Sequence, residues 1–287
     1  MLLQKTYQIV DGPPPMAWDT YDVLVRQAWK ALLDSGCNEE RVYQEFLERH
    51  PCMVPGPFGL IGTSGHSPYP SAIITQPVLP DFTRRIPDFM WIARDSETIY
   101  PVLIEIESPS KPWFTKGDKQ HAKLTQARDQ ITEWKAWFHN PLNVARLRDY
   151  YTLDFRGENI RPLYLLIYGR RSEANKTVER VRRRSNLSRD DEFLMTYDRL
   201  VPQAGAREFY TVRVDRSGYQ ALYVPPTAGI GPLFAHERSK IRNKDIAVLN
   251  SPYFSDERRA FYVSRLPYWD DWAANGQRGI ICTSDGE

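Results

Sequence analysis

Three acidic residues have types and spacing suited to binding a divalent metal ion. Asp88 lies in the segment RRIPDFMWIARD, and Glu105 and Glu107 follow in VLIEIES. Successive side chains of a strand point to opposite faces, so Glu105 and Glu107 share one face. Mg²⁺ and Mn²⁺ prefer carboxylate oxygens as ligands, and such an ion can polarise a phosphoryl oxygen and activate water. The expected cofactor is therefore Mg²⁺ or Mn²⁺.

The two strands that carry these acids are predicted to form an antiparallel hairpin. Residues 86–94 and 99–107 alternate in polarity, and a turn-like DSET segment separates them. A symmetric turn gives cross-strand pairs whose numbers sum to 193, which sets Asp88 opposite Glu105. Opposed side chains have Cβ atoms about 4.5–5.5 Å apart, unless a bulge shifts the register.

A solvated acidic edge is the alternative interpretation of this cluster. However, Glu105 follows the apolar run Val102–Ile104, which places its carboxylate in a buried strand. An unpaired buried carboxylate costs free energy, and adjacent carboxylates repel each other. The placement therefore favours a functional site over a surface feature.

The elements around the hairpin predict an α/β protein with a mixed sheet. Helices are expected at 17–35, ended by Gly36, at 39–49, capped by Asn38, at 116–139 and at 173–187. Further strands are expected at 73–79, 163–169, 192–196, 208–214 and 219–224. Residues 1–16 are interpreted as a loose or strapped-on arm, 225–272 as a segment that wraps the core, and 273–287 as a frayed tail. The proposed division is an arm and helix at 1–38, a core at 39–205 and an extension at 206–287.

A basic segment at 170–189 is the candidate nucleic-acid surface. It contains seven arginines in a chain whose formal net charge is only +2, so the positive charge is local. Arginine side chains bind phosphate oxygens in a bidentate manner. The candidate phosphate ligands from this segment are Arg170, Arg171, Arg182, Arg183 and Arg184. A solvated helix face is the alternative.

Composition narrows the class of protein further. The chain is 41% hydrophobic, which is enough for a sizeable core. Its three cysteines match no zinc spacing and fit a reducing compartment, so a cytoplasmic location is expected. The first residues do not resemble a signal peptide, and no apolar run is long enough for a membrane span.

At the acidic residues the sequence resembles the PD-(D/E)XK nuclease superfamily. Pro87-Asp88 corresponds to the PD, and Glu105-Ile106-Glu107 to the (D/E)XK. Within that superfamily it is similar to the Shedu antiphage nuclease domain over about residues 39–200. That similarity rests on the order of several short motifs. In chain order they are VYQEFL at 42–47 followed by His50-Pro51, PDF at 87–89, IEIESP at 104–109, Gln130 to Trp134, YGRR at 168–171 and TYD at 196–198.

The resemblance implies a restriction-endonuclease-like core in αβββαβ order and metal-dependent hydrolysis of phosphodiester bonds in DNA. RNA remains open as the substrate. The implied catalytic residues are Asp88, Glu105, Glu107 and Gln130, and the implied metal ligands are these three acids with Glu40. A homo-oligomer and no membrane association are also implied.

One position departs from the family pattern, because Glu107 stands where the usual lysine is expected. Some restriction endonucleases also carry ExE. A glutamate could accept the proton of the attacking water or hold a second ion. Lys119 or Lys123 could replace the missing lysine, and Lys123 is also a candidate phosphate ligand. The alternatives are an inactive nuclease fold that binds nucleic acid or a partner protein, and an interaction protein with surface acids.

Overall fold

A nine-stranded mixed sheet organises the computed structural model, which describes residues 4–58, 68–82, 86–153, 159–275 and 279–287. The strands are β1 (Ala72–Thr75), β2 (Phe89–Arg94), β3 (Thr98–Ile106), β4 (Asn159–Ile160), β5 (Leu163–Ile167), β6 (Glu192–Met195), β7 (Tyr210–Asp215), β8 (Gly218–Tyr223) and β9 (Ile241–Arg242). Their order in the sheet is β6-β5-β3-β2-β1-β7-β8-β9, and β4 pairs with β3. The expected α/β class with a mixed sheet is confirmed.

Helices cover both faces of this sheet. In the described ranges they are α1 (Trp18–Asp34), α2 (Glu40–Arg49), α3 (Ala122–Phe138), α4 (Pro141–Tyr150), α5 (Arg171–Ala174), α6 (Val178–Ser185), α7 (Pro232–Arg238), α8 (Lys244–Leu249) and α9 (Asp256–Ala274). Because side chains alternate along β2, Met90 joins the core beneath α3, whereas Phe89 and Trp91 join the core beneath α1 and α2. The sheet is thus enclosed between two helical layers.

The β2–β3 hairpin has the predicted register. Phe89 pairs with Ile104 and Arg94 with Ile99, so the numbers sum to 193 along the whole of β2. Asp88 lies one residue before the strand, and its backbone N–H donates to the Ile104 carbonyl at 3.1 Å. The predicted register is confirmed. The apolar alternation and the turn geometry together determine it.

The helical predictions were less accurate at their boundaries. The long helix begins at Ala122, not 116, because the preceding residues form a turn with Asp118 at φ +57° and His121 as the N-cap. The expected basic helix is interrupted between α5 and α6, where the Thr177 side chain caps α6. Asn38 does not cap α2, since Glu39 occupies that position.

The prediction that residues 273–287 form a frayed tail was wrong in the part that the structure describes. The Glu287 carboxylate is buried and accepts hydrogen bonds from Arg265 at 2.6 and 2.7 Å and from Trp269 at 3.1 Å. It also accepts one from the backbone N–H of Val10, at 3.0 Å. The arm at the start of the chain and the last residues are therefore held together on α9.

The sheet is continuous across the proposed boundary at residue 206. Strand β7 pairs in parallel with β1, with Ala72 opposite Tyr210 and Ile74 opposite Val212. The extension thus supplies strands to the same sheet that carries the acidic hairpin. The three-part division of the chain remains a proposal about its organisation.

Replacing Glu287 should test how much the buried contact stabilises the fold. We expect Glu287→Ala to lower the free energy of unfolding by about 3 kcal/mol, because it leaves a partly buried Arg265 unpaired. Asp271→Ala removes an exposed acid from α9, the helix that carries Arg265, and should change the free energy of unfolding by no more than about 0.5 kcal/mol. Urea unfolding measures both. Equal effects of the two changes would contradict a stabilising role for the buried carboxylate.

Candidate active site

The side chain of Asp88 is directed onto strand β3. Its Oδ2 atom accepts a hydrogen bond from the backbone N–H of Ile106 at 2.8 Å, next to Glu105. Burial raises the pKa of Asp88 to about 7; the Ile106 hydrogen bond lowers this pKa, and the Glu40 and Glu48 carboxylates raise it. The hairpin therefore holds this carboxyl group where ionisation is unfavourable.

Glu105 is the most deeply buried acid of the cluster, with only 7% of its surface exposed. Burial raises its pKa well above the ordinary value, and Asp88 and Glu40 raise it further. Gln130 on α3 hydrogen-bonds to this carboxylate, which lowers the pKa. The Oε2 atom is buried and has no hydrogen-bond partner among the described residues. A buried carboxylate oxygen without a partner costs free energy unless a ligand satisfies it.

Glu107 forms an ion pair with Lys111, four residues further along the chain. The Lys111 ammonium also lies 3.9 Å from the Glu40 carboxylate on α2. Lys111 was not predicted as a site residue. The short SPSK segment after β3 forms a turn that brings it back to the acids, and its backbone N–H donates to the Ser108 carbonyl at 3.0 Å. A cation therefore lies beside the acids although the usual lysine position holds Glu107.

Helix α2 contributes two acids to this region. Glu40 and Glu48 are eight residues apart, which places them on one face of the helix, and both raise the pKa of Asp88. Glu40 was predicted, and burial raises its own pKa. Glu48 was not predicted; its carboxylate accepts a hydrogen bond from Thr75 at 2.5 Å. Its eight-residue spacing from Glu40 on a predicted helix was the sequence signal that could have identified it.

The expected convergence of Asp88, Glu105 and Glu107 on one ion is not preformed. In the residues that the structure describes, no three His, Cys, Asp or Glu side chains are grouped closely enough to hold a metal ion. The physical reason is that Glu107 is paired with Lys111 and Asp88 is hydrogen-bonded to Ile106. The half-buried Asp88 and the buried Glu105 remain as the core of the site.

A cleft of 180 Å³ opens beside these acids. It is lined by Glu107, Lys111, Lys123, Gln126 and Gln130. Lys123 and Gln130, both predicted from the sequence, thus border the same cleft as Glu107. Its two lysines and two amides could bind a phosphate group.

Residues 37–201 match the family model of the Shedu protein SduA, C-terminal. This is more than half of the chain. The chain belongs to this Shedu family. The matched range includes the acidic hairpin, α3, the cleft and the basic segment. A search of curated proteins found no match. Every helix in the described ranges is too short or too polar to cross a lipid bilayer.

Two of the predicted phosphate ligands of this Shedu-family chain have partners within the chain. Arg170 pairs with Asp198 at 3.0 Å and also bonds to the Leu33 carbonyl. Arg171 donates to the Asp198 carboxylate through its backbone N–H at 2.6 Å, and its exposed guanidinium donates to the Asp198 carbonyl at 3.1 Å. The YGRR and TYD segments thus form one structural unit, because the acid of one binds the arginines of the other.

Helix α6 carries the remaining predicted arginines. Arg183 pairs with Glu179 at 2.7 Å, and Arg184 lies 6.0 Å from the ring of Trp113. Arg182 is exposed and makes no ion pair within the described ranges. Arg180, which was not a predicted ligand, is buried and bonded to Asp118 and Glu173. Arg182 and Arg184 are therefore the arginines best placed to meet a phosphate.

The raised pKa of Asp88 predicts how stability depends on pH without metal. Between about pH 4 and pH 7 the folded protein retains a proton that the unfolded chain has lost, so stability should fall as pH rises through this window. Above pH 7 the penalty is complete. Asp88→Asn should therefore stabilise the chain by about 1–2 kcal/mol at pH 8 in chelator, since an amide oxygen accepts the hydrogen bond from Ile106 less strongly than a carboxylate does and this offsets part of the gain.

Urea unfolding of both proteins at pH 5 and pH 8 is the measurement. Asp190→Asn, a change at an exposed acid, is the control and should leave stability within about 0.5 kcal/mol at both pH values. A stability difference between wild type and Asp88→Asn that is the same at both pH values would contradict the raised pKa.

Proposed function

We propose that this protein is a PD-(D/E)XK-type nuclease that hydrolyses phosphodiester bonds in DNA with a divalent metal ion, as part of antiphage defence. The observation that carries the proposal is the pair of acids at the open end of the hairpin, the half-buried Asp88 and the buried Glu105, whose Oε2 atom has no hydrogen-bond partner among the described residues. Membership of the Shedu family supports the defence role.

The residues present fit Mg²⁺ or Mn²⁺. Mg²⁺ commonly keeps several waters and takes only one or two carboxylates together with phosphate oxygens. Asp88 and Glu105 offer that donor set, so a preformed group of three ligands is not required. Glu40 and Glu107 would complete the surroundings. A bound ion would supply charge stabilisation and a more acidic water molecule.

Lys111 is proposed to act where the family's usual lysine acts. The Glu107 carboxylate holds its ammonium group at the cleft, and Glu40 lies 3.9 Å away on the other side. An ammonium so placed can orient an attacking water or a phosphate oxygen. Glu107 therefore positions Lys111, and it can also accept a proton from water. Gln130 orients the carboxylate of Glu105.

DNA is expected to approach over the cleft and helix α6. Lys123 borders the cleft, and Arg182 and Arg184 follow on α6. Such contacts would neutralise backbone phosphates and would not read sequence. A homo-oligomer is proposed on the family resemblance alone, and cytoplasmic location on the cysteine content.

A second candidate function is an inactive nuclease fold that binds nucleic acid or a partner protein. Two observations favour it, the glutamate at position 107 and the finding that three ligand side chains do not converge among the described residues. Under that proposal, DNA binding would persist without cleavage under any metal condition.

Metal linkage should separate these functions. With excess Mn²⁺ the melting temperature of the wild type should rise, because an ion that binds only the folded state stabilises it. Glu105→Gln should lose that rise together with all cleavage of plasmid DNA. Glu97→Gln, at an exposed acid on the same hairpin, should behave as the wild type. Thermal melts and cleavage assays in chelator and in Mn²⁺ are the measurements. Identical metal responses in all three proteins would refute the metal site.

Lys111 should affect turnover without being needed for metal binding. Lys111→Met should reduce the cleavage rate about 100-fold or more and retain the metal-induced rise in melting temperature. Lys119→Met, at an exposed lysine in the same segment, should keep both. The exchanged pair E107K/K111E should recover part of the lost rate, because it keeps the ion pair and moves the lysine to the family position. A normal rate in Lys111→Met would exclude this role.

A further inference from the structure

A second groove lies beside the acids, on the β7–β8 side of the sheet. It has a volume of 620 Å³, and its lining includes Glu48, Arg49, Arg213, Tyr223, Asn250 and Tyr253. We propose that this groove binds an unpaired DNA strand and leads it to Asp88 and Glu105. This inference rests on the proposed nuclease function and names the form of the substrate.

The groove is continuous with the candidate active site through two residues. Glu48 lines the groove, and its carboxylate accepts a hydrogen bond at 2.5 Å from Thr75, which pairs with Phe89 next to Asp88. Gln76 donates its backbone N–H to the Asp88 carbonyl at 2.8 Å, and its side-chain oxygen accepts from Arg213 at 3.3 Å. Gln76 thus contacts both Arg213 and Asp88, and this short connection is the route by which the groove would lead a strand toward the acids.

The side chains of the groove match the chemistry of a single strand. Arg213 and Arg49 are exposed guanidinium groups suited to backbone phosphates. Arg49 has one ion pair, to Glu45 at 3.7 Å, and both side chains are exposed, so phosphate can replace that weak partner. The Asn250 amide can hydrogen-bond to a base edge.

Two tyrosine rings provide surfaces for base stacking. Tyr253 is fixed from behind by Tyr21 and His50, with ring centroids 6.5 and 5.5 Å away. Burial lowers the pKa of His50 to about 4, so its ring is a neutral support at pH 7. Tyr223 on β8 lines the groove together with Arg213 on the paired strand β7. Base faces can stack on such rings only when the strand is unpaired, because duplex bases stack on one another.

Binding in chelator tests the groove without cleavage. Fluorescence anisotropy would measure the affinity of the full chain for a labelled mixed-sequence single strand of DNA, and for a duplex of the same sequence. We expect Arg213→Ala to weaken single-strand binding several-fold and to reduce the salt slope by about 0.7, the value for one lost phosphate contact on a single strand. Arg216→Ala removes an exposed arginine from the turn between β7 and β8, and it should leave the affinity for the single strand within about two-fold of the wild type.

The stacking contact has its own variant. Tyr253→Leu keeps an apolar side chain against His50 and removes the aromatic face, and it should weaken single-strand binding about five-fold or more. A matched melting temperature for each variant shows that the fold is retained. The proposal would be overturned if the Arg213→Ala protein bound the single strand as tightly as the Arg216→Ala protein does. It would also be overturned if the wild type bound only the duplex.

Failure of the groove and failure of the nuclease proposal give different results. If wild type cleaves DNA with Mn²⁺ but Arg213→Ala and Tyr253→Leu bind the single strand normally, the groove assignment is wrong and the nuclease stands. If wild type never cleaves but both variants lose binding, the groove stands and the nuclease is wrong.

Discussion

The hydrogen bond from the Ile106 backbone to Asp88 fixes the relation between the two acids on which the candidate site depends. It ties the residue before β2 to the strand that carries Glu105, so the Asp88 carboxylate cannot move away from that strand without breaking a partly buried hydrogen bond. Burial raises the pKa of both groups, and Glu40 raises both further; Asp88 also raises the pKa of Glu105. This arrangement destabilises the chain without a ligand, and a cation would relieve it.

The surrounding layers explain why this arrangement persists. Strands β2, β3 and β5 are almost wholly buried between α3 on one face and α1 with α2 on the other. Gln130 comes from one layer and Glu40 from the opposite one, and both act on Glu105. The hydrophobic core thus provides the stability that offsets a locally unfavourable cluster of charge.

Local patterns predicted the hairpin and its acids, whereas tertiary contacts determined the rest. The register followed from alternation and a symmetric turn, and a periodic pattern also revealed α1 and α2. Lys111 was missed because its position depends on a turn after β3, and an isolated lysine in a loop carries no periodic signal. Arg170 looked like a surface arginine because its partner, Asp198, is 28 residues away in sequence. The buried position of Glu287 likewise depends on partners 22 and 277 residues away.

Strand β1 pairs with both β2 and β7, so the residues that form the sheet extend beyond the residues that match the family model. The family match ends at residue 201, whereas the strand that covers the far edge of β1 begins at Tyr210. A fragment limited to the matched residues would expose an edge strand, Ala-Ile-Ile-Thr, that is completely buried in the full chain. Exposed apolar edges pair with other chains and promote aggregation. A fragment limited to residues 37–201 is therefore not expected to be soluble by itself, because β7 completes the sheet beside β1 in the full chain.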